Sequence, residues 1–348
     1  MLLLYEAMKT DTRLSELNTW LASLASKWSI DLNSIKPASS DASFRRYFRV
    51  LGDKSAQNSS FIIMDAPPVS EDTRPFIQIA KLLGDAGAQV PTVLEADVAQ
   101  GFLLLSDLGN ETYLSALTPS TAPKLYRDAS EALIKIQLIP NQGQLPEYDQ
   151  ALLTRELDLF PDWYLNKHLQ IELNEVEKQD LSKVFRLILE NNLAQPQVLV
   201  HRDYHSRNLM VTPHHNPGIL DFQDAVFGPI TYDLASLFRD AYIEWEEPEQ
   251  MDWVIRYWEM ARKAGLPVQN EFGDFYRDFE WMGLQRHLKV LGIFARLYHR
   301  DGKDGYLKDM PLVFKYTRKV AERYISLKPL VRLLDKVEGI QRPDGLTF

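Results

Sequence analysis

Two carboxylates and an amide at close spacing, Asp203, Asn208 and Asp221, are the residues of this chain best suited to chemistry. They lie in the stretch 198–224, VLVHRDYHSRNLMVTPHHNPGILDFQD, where apolar runs alternate with polar turns. Moving the terminal phosphoryl group of ATP to an alcohol needs an in-line oxygen, a clamped triphosphate and neutralised equatorial charge. In that chemistry Asp203 accepts or orients the proton of the attacking hydroxyl. The side-chain oxygens of Asn208 and Asp221 are hard donors of the kind Mg²⁺ takes alongside phosphates and water. Singly, each residue reads as a turn or cap. Together, each beside an apolar strand-like run, they read as a phosphoryl-transfer site.

The histidines of the same stretch do not compete with that reading. His201 and His205 are four apart, but there is no HExxH, no third ligand at suitable spacing, and a strand precedes them. His201 reads as a bracing residue and His205 as a contact to the acceptor. His214 and His215 fall in a polar turn and read as surface.

The elements that must position these residues follow from periodicity. Leucines at 14, 17, 21 and 24 predict a helix over 11–26, capped by Asp11 or Thr12. FRRYFRV and SFIIM predict two strands of a hairpin joined by a polar turn over 52–60, with the small-residue run 38–43 leading in. A helix over 74–86 places Phe76, Ile79, Ala80 and Leu83 on one face. VPTVLEAD and GFLLLSDLG read as two further strands. Beyond a short helical TYLSAL, helices are expected over 122–138, 172–192, 231–242, 251–264, 272–299 and 312–334. The segment 158–168, with Phe160, Trp163, Tyr164 and Leu165, is expected to border a cleft or a helix interface, and the tail GIQRPDGLTF to be a loose terminus. The fold expected is α+β. A small antiparallel sheet plus helix over 1–108 forms the nucleotide-binding part, and a mainly helical part over 109–348 carries the catalytic loop, metal site and substrate helices.

Composition narrows the classes. At 348 residues, with 45% apolar and 25% charged residues, the chain is long enough for two domains or one two-lobed enzyme. A net charge of −9 argues against sequence-independent nucleic-acid binding, which needs a phosphate-neutralising surface. The absence of cysteine removes disulfides, thiolate nucleophiles and cysteine-based zinc sites. No apolar run approaches the roughly 20 residues that span a bilayer, and MLLLYEAMKTDTR lacks the basic start and the length of a signal sequence. The expectation is a cytoplasmic enzyme with small-molecule partners, and no nucleic-acid, membrane or protein partner.

HRDYHSRN fits the kinase catalytic-loop pattern H-R-D-x-x-x-x-N, and DFQ follows where kinases keep D-F-G. No segment ending in A-P-E follows, which argues against protein kinases proper. Together with FLLLSDLG and YDLASL, these motifs resemble the aminoglycoside phosphotransferase-like family of small-molecule kinases over most of the chain. That resemblance implies a bilobal protein-kinase-like fold, ATP and Mg²⁺ as cofactors, Asp203 as catalytic base, Asn208 and Asp221 as metal ligands, and Ser106 to Leu108 presenting backbone groups to adenine. Within the family, SSDASFRRYFRV, FIIMDAPP and WMGLQRHLKVLGIFARL narrow the likeness. It implies phosphorylation of the anomeric hydroxyl of N-acetylmuramate and N-acetylglucosamine to the α-1-phosphate, in peptidoglycan recycling. The alternatives are a same-fold kinase for another alcohol of aminoglycoside, choline or homoserine type, and a nucleotide-binding pseudokinase.

Two departures from the family pattern shape the remaining expectations. FIIMDAPP has Met64 or Asp65 where kinases place the phosphate-gripping lysine, and no glutamate on the 74–86 helix is set to pair with one. Arginines of FRRYFRV are therefore expected to take over the phosphate contact, Arg46 or Arg49 ahead of Arg45. For the sugar, Asp224 is a candidate hydrogen-bond acceptor, Trp281 a stacking surface, and Arg286 a partner for the lactyl carboxylate. Trp281 also fits a packing stripe with Leu284, Leu288 and Leu291.

Overall fold

A computed structural model describes residues 11–40, 44–53, 59–141 and 143–340, apart from the side chains of 39 and 40. The chain divides into two compact units, Met1–Asn110 with Met210–Gln223, and Glu111–Leu209 with Asp224–Phe348.

The first unit is a five-stranded antiparallel sheet with two helices. In chain order it runs α1 (Thr12–Trp28), β1 (Ile30–Ser40), β2 (Arg46–Gly52), β3 (Ser60–Asp65), α2 (Thr73–Asp85), β4 (Val93–Asp97) and β5 (Phe102–Ser106), with sheet order β1-β2-β3-β5-β4. Asp11 caps α1 through its side chain, which accepts from the Leu14 amide at 3.0 Å. Leu14, Leu17 and Leu21 of α1 bury against Phe48, Val50, Phe61, Ile63, Phe102 and Leu104, alternate residues from one face of the sheet. Phe76, Ile79, Ala80 and Leu83 of α2 are buried, as their spacing requires.

Strand β1 had no signal in the sequence. IDLNSIKPASS lacks alternation and contains a proline, yet it pairs with β2 along its length with two register irregularities. It is the edge of the sheet, where backbone pairing alone can carry a strand and proline is tolerated. Residues 41–43 of the lead-in run, 54–58 of the hairpin turn and the tail 341–348 lie outside the described residues.

The second unit is helical around a small strand pair. Its elements are α3 (Tyr113–Ala116), α4 (Ala122–Gln137), α5 (Gln150–Leu159), a π-helical segment (Phe160–His168), α6 (Glu175–Leu193), β6 (Gln197–Val200), β9 (Val226–Pro229), α7 (Tyr232–Phe238), α8 (Glu247–Lys263), α9 (Phe272–Asp301), α10 (Met310–Arg323) and α11 (Lys328–Glu338). Between β6 and β9 the chain forms two short strands, β7 (Leu209–Met210) and β8 (Gly218–Ile219), the latter within the segment 210–223 of the first unit. Strand β6 pairs antiparallel with β9, Val200 opposite Val226, so the loop 201–208 leaves the end of a fixed ladder.

Helix α9 is the scaffold of this unit, and most of its residues are buried. Gly292 permits its close approach to α5, since a Cβ there would lie 2.3 Å from the Leu159 carbonyl oxygen. Beside that crossing Phe160, Tyr164 and Leu165 are buried in a helix interface, as expected for 158–168. The single helix expected over 312–334 is two, α10 and α11. A 3₁₀ turn separates them, and Pro329, lacking an amide hydrogen, opens the second. The helix expected over 231–242 ends at Phe238 because Asp240, just beyond, is taken up by backbone amides. No helix among the described residues is long and apolar enough to cross a membrane.

Candidate active site

The catalytic-loop segment of the helical unit is held by carboxylates that capture its backbone. Asp233, in the first turn of α7, accepts the amide of His201 at 2.7 Å through one oxygen and that of Arg202 at 3.0 Å through the other. Asp240, past the end of the same helix, accepts the amides of Ser206 at 2.9 Å and Tyr242 at 3.1 Å. Between these anchors the Asp203 carbonyl accepts from the His205 amide and from Asn208 Nδ2, each at 3.0 Å. The Asp203 amide donates to His201 Nδ1 at 3.2 Å, which assigns the proton of that ring to Nε2. The Ser206 carbonyl receives the Leu114 amide at 3.0 Å. Charge-assisted bonds of this kind are stronger than neutral ones, and here they define the backbone on both sides of Asp203.

Neither anchor was assigned a role from the sequence. YDLASL offered the signal, because every residue of α7 is buried and aspartate is almost never buried unpaired. Burial pushes the Asp233 carboxyl up to about 7, opposed by its two amide donors.

The side chain of Asp203 is partly buried and meets mostly positive charge. Burial alone would raise its carboxyl. Lys289, then His205 and Arg286, outweigh that effect and hold the group below its ordinary value, ionised at neutral pH. Asn208 donates its amide nitrogen to the loop, so the orientation of the amide is set and its oxygen is presented on the opposite side. Asp221, in the sheet unit, is a non-glycine residue in left-handed conformation (φ 62°) and receives Gln223 Nε2 at 2.8 Å. Amide and carboxylate oxygens are, each by itself, donors of the kind Mg²⁺ takes. No group of three or more His, Cys, Asp or Glu among the described residues is arranged to hold a metal.

The candidate acceptor residues fall into different environments. The His205 ring lies edge-on to Tyr242 at 5.4 Å, and burial pushes its pKa down. Arg286, on α9, is 4% exposed, and its Nε donates to the Ser236 hydroxyl. Nη1 of Arg286 has no hydrogen-bond partner among the described residues, nor is a carboxylate within ion-pair distance. Asp224 is exposed, and its carbonyl faces Arg202 Nη1 at 3.5 Å. Trp281 lies in the interior, edge-on to Tyr324 at 5.4 Å, where its burial serves packing.

In the sheet unit the two candidate arginines lie on opposite faces of β2. Arg46 shares its face with Phe48 and Val50 and stands directly across the ladder from Asp65. It donates to Asp65 at 2.8 and 2.5 Å, while Arg13 of α1 reaches the same carboxylate at 2.8 Å and Asp11 also pairs with Arg46. Arg49, on the other face, grips Asp107 at 2.6 and 2.9 Å, the Gly109 carbonyl at 2.9 Å and Asn110. Arg45 approaches Glu71, just ahead of α2, with Nε 3.5 Å from its carboxylate. Ser106 donates its amide to the Thr92 carbonyl at 3.0 Å and accepts the Thr92 amide on Oγ at 2.8 Å. Leu108 packs on the β8 turn, where a Cβ at Gly218 would come within 2.9 Å of it. The segment bearing Asp221 is tied to this unit by the Ile219 amide on the Gln89 carbonyl at 2.7 Å and by Phe222 against Phe76 at 4.7 Å.

An antiparallel sheet with its helix, a helical unit, and a carboxylate-anchored loop bearing Asp203 and Asn208 define a phosphotransferase of the kinase fold. The chain belongs to the Phosphotransferase enzyme family, whose profile matches residues 34–270. It is 48% identical to an N-acetylmuramate/N-acetylglucosamine kinase of Pseudomonas aeruginosa over 94% of this chain and 97% of that one. A protein of the same name from Neisseria meningitidis serogroup B is 47% identical over 96% of this chain and 98% of that one. Among solved structures, an ADP-bound aminoglycoside phosphotransferase superposes with a TM-score of 0.56 at 14% identity. The match covers 89% of this chain and 99% of that one, and at that identity the likeness is one of fold.

Proposed function

We propose that this chain is an ATP-dependent amino-sugar kinase that phosphorylates the anomeric hydroxyl of N-acetylmuramate and N-acetylglucosamine, giving the α-1-phosphate. The observation that carries the reaction type is the anchoring of the loop around an ionised Asp203. The substrate rests on near-full-length identity to two kinases of that name.

In this reading Asp203 orients the anomeric hydroxyl and takes its proton as the phosphoryl group is transferred. Asn208 and Asp221 supply the protein oxygens for Mg²⁺, which when bound neutralises charge on the phosphates. The backbone of Ser106 to Leu108 receives adenine. Arg46 and Arg49 are the phosphate candidates, and each would have to exchange part of a carboxylate partnership for phosphate. On the acceptor side His205 and Asp224 meet sugar hydroxyls. The buried guanidinium of Arg286, lacking a carboxylate of its own, takes the lactyl carboxylate that only N-acetylmuramate carries. Use of ATP and of sugars released in peptidoglycan recycling supports a cytoplasmic location.

An ATP-consumption screen tests the assignment. N-acetylmuramate and N-acetylglucosamine should be turned over in preference to aminoglycosides, choline and homoserine. Turnover of one of the latter alone would move the chain to another acceptor class.

A further inference from the structure

Glu156, Arg202 and Lys289 come from α5, the loop after β6 and α9, and meet in the interior of the helical unit. One oxygen of Glu156 accepts from both cations, 2.6 Å from Arg202 Nη2 and 2.8 Å from Lys289 Nζ. The other oxygen accepts from the Tyr148 hydroxyl, and Lys289 also donates to the Tyr232 hydroxyl at 2.9 Å. Glu156 is 5% exposed and Lys289 7%, so water does little to screen the group. Two cations share one anion, leaving one positive charge over.

The chain itself ties this group to Asp203. Arg202 immediately precedes Asp203 and has a φ of 78°, a region a side-chain-bearing residue keeps only where its surroundings enforce it. Asp233 holds its amide and Glu156 its guanidinium. Lys289, reaching the same Glu156 oxygen from α9, holds that carboxylate in place for Arg202.

We propose that Glu156 and Lys289 are positioning residues for phosphoryl transfer. Glu156 locks Arg202, and with it the backbone of Asp203, while Lys289 fixes Glu156 from α9. The proposal rests on Asp203 being the base. Both act through Arg202 and meet no substrate, so their loss should lower kcat and leave KM unchanged, and a cation restored at 289 should restore kcat.

The test uses Lys289→Met, Lys289→Arg and Glu156→Gln in the full chain, with kcat and KM of each. Both charge-removing variants should lose roughly 10- to 100-fold in kcat with little change in KM for ATP or sugar. Lys289→Arg, which can keep the bond to Glu156, should stay close to wild type. A kcat within twofold of wild type in both charge-removing variants, a KM that rises as much as kcat falls, or a Lys289→Arg no better than Lys289→Met overturns the proposal. If a single variant does not fold, Glu156→Gln/Lys289→Met, which keeps one surplus cation, decides. A kcat reduced at least tenfold supports the proposal, and a wild-type kcat overturns it. Wild-type turnover is measured first, so a chain inactive on the sugars defeats the substrate reading, and the variants are then compared on the alcohol that the screen does find.

Discussion

The arginines of the sheet unit and the carboxylates of the helical unit use strong ionic hydrogen bonds for different tasks. In the sheet unit the bonds join side chain to side chain. Asp65 gathers Arg46 and Arg13, and Asp107 gathers Arg49. In the helical unit they join side chain to backbone, Asp233 and Asp240 between them taking three amides of the catalytic loop, with Asp240 also taking that of Tyr242. A side-chain pair can reopen when a phosphate competes for the guanidinium. A carboxylate that holds the backbone cannot be exchanged without moving the loop. The comparison teaches that Asp203, the proposed base, sits on a loop fixed through its backbone, whereas the arginines proposed to meet phosphate are held in pairs that can be exchanged.

The largest effect that would sharpen this contrast is at Asp203. Asp203→Asn should lower kcat by about 10²–10⁴-fold while calorimetry still registers Mg-ATP. Loss of nucleotide binding instead would mean that the residue serves the nucleotide and not the acceptor. Next comes the anchor. Asp233→Ala leaves two buried amides without their acceptor, at about 1–3 kcal/mol each, and should lower both the urea midpoint and kcat. Wild-type kcat in that variant would break the claim that side-chain-to-backbone bonds define the base.

Smaller effects are expected from side chains that meet substrate. Arg286→Leu should raise KM for N-acetylmuramate about tenfold more than for N-acetylglucosamine, because only the former brings a carboxylate. An equal change for both sugars would return Arg286 to a structural role. The smallest is expected at the exchangeable pairs, where Arg46→Ala or Arg49→Ala should raise KM for ATP several-fold (roughly 1 kcal/mol) with the fold kept. If both left KM and kcat unchanged, the missing lysine would have another substitute, and Arg45 beside Glu71 is the next to examine.

How much of this was legible in the sequence follows from range. Asp203 and Asn208 sit in one contiguous motif, so their spacing alone makes them candidates, and period alone identifies the apolar faces of α1 and α2. What stayed hidden depends on contacts between distant segments. Arg46 meets Asp65 only because the β2–β3 register sets them opposite, and no local pattern specifies a register across the turn 52–60. Glu156 and Lys289 belong to no local motif, and their pairing appears only once α5 and α9 cross at Gly292. Strand β1 is held by its neighbour's backbone, so its side chains carry no signal.

The central claim is that an anchored, ionised Asp203 directs phosphate to the anomeric oxygen of an amino sugar. Phosphorus NMR of the wild-type protein with Mg-ATP and N-acetylmuramate tests it directly. The account predicts ADP together with a single sugar phosphate whose phosphorus couples to an α-anomeric proton. Phosphate on any other hydroxyl, or ATP left intact, would contradict it.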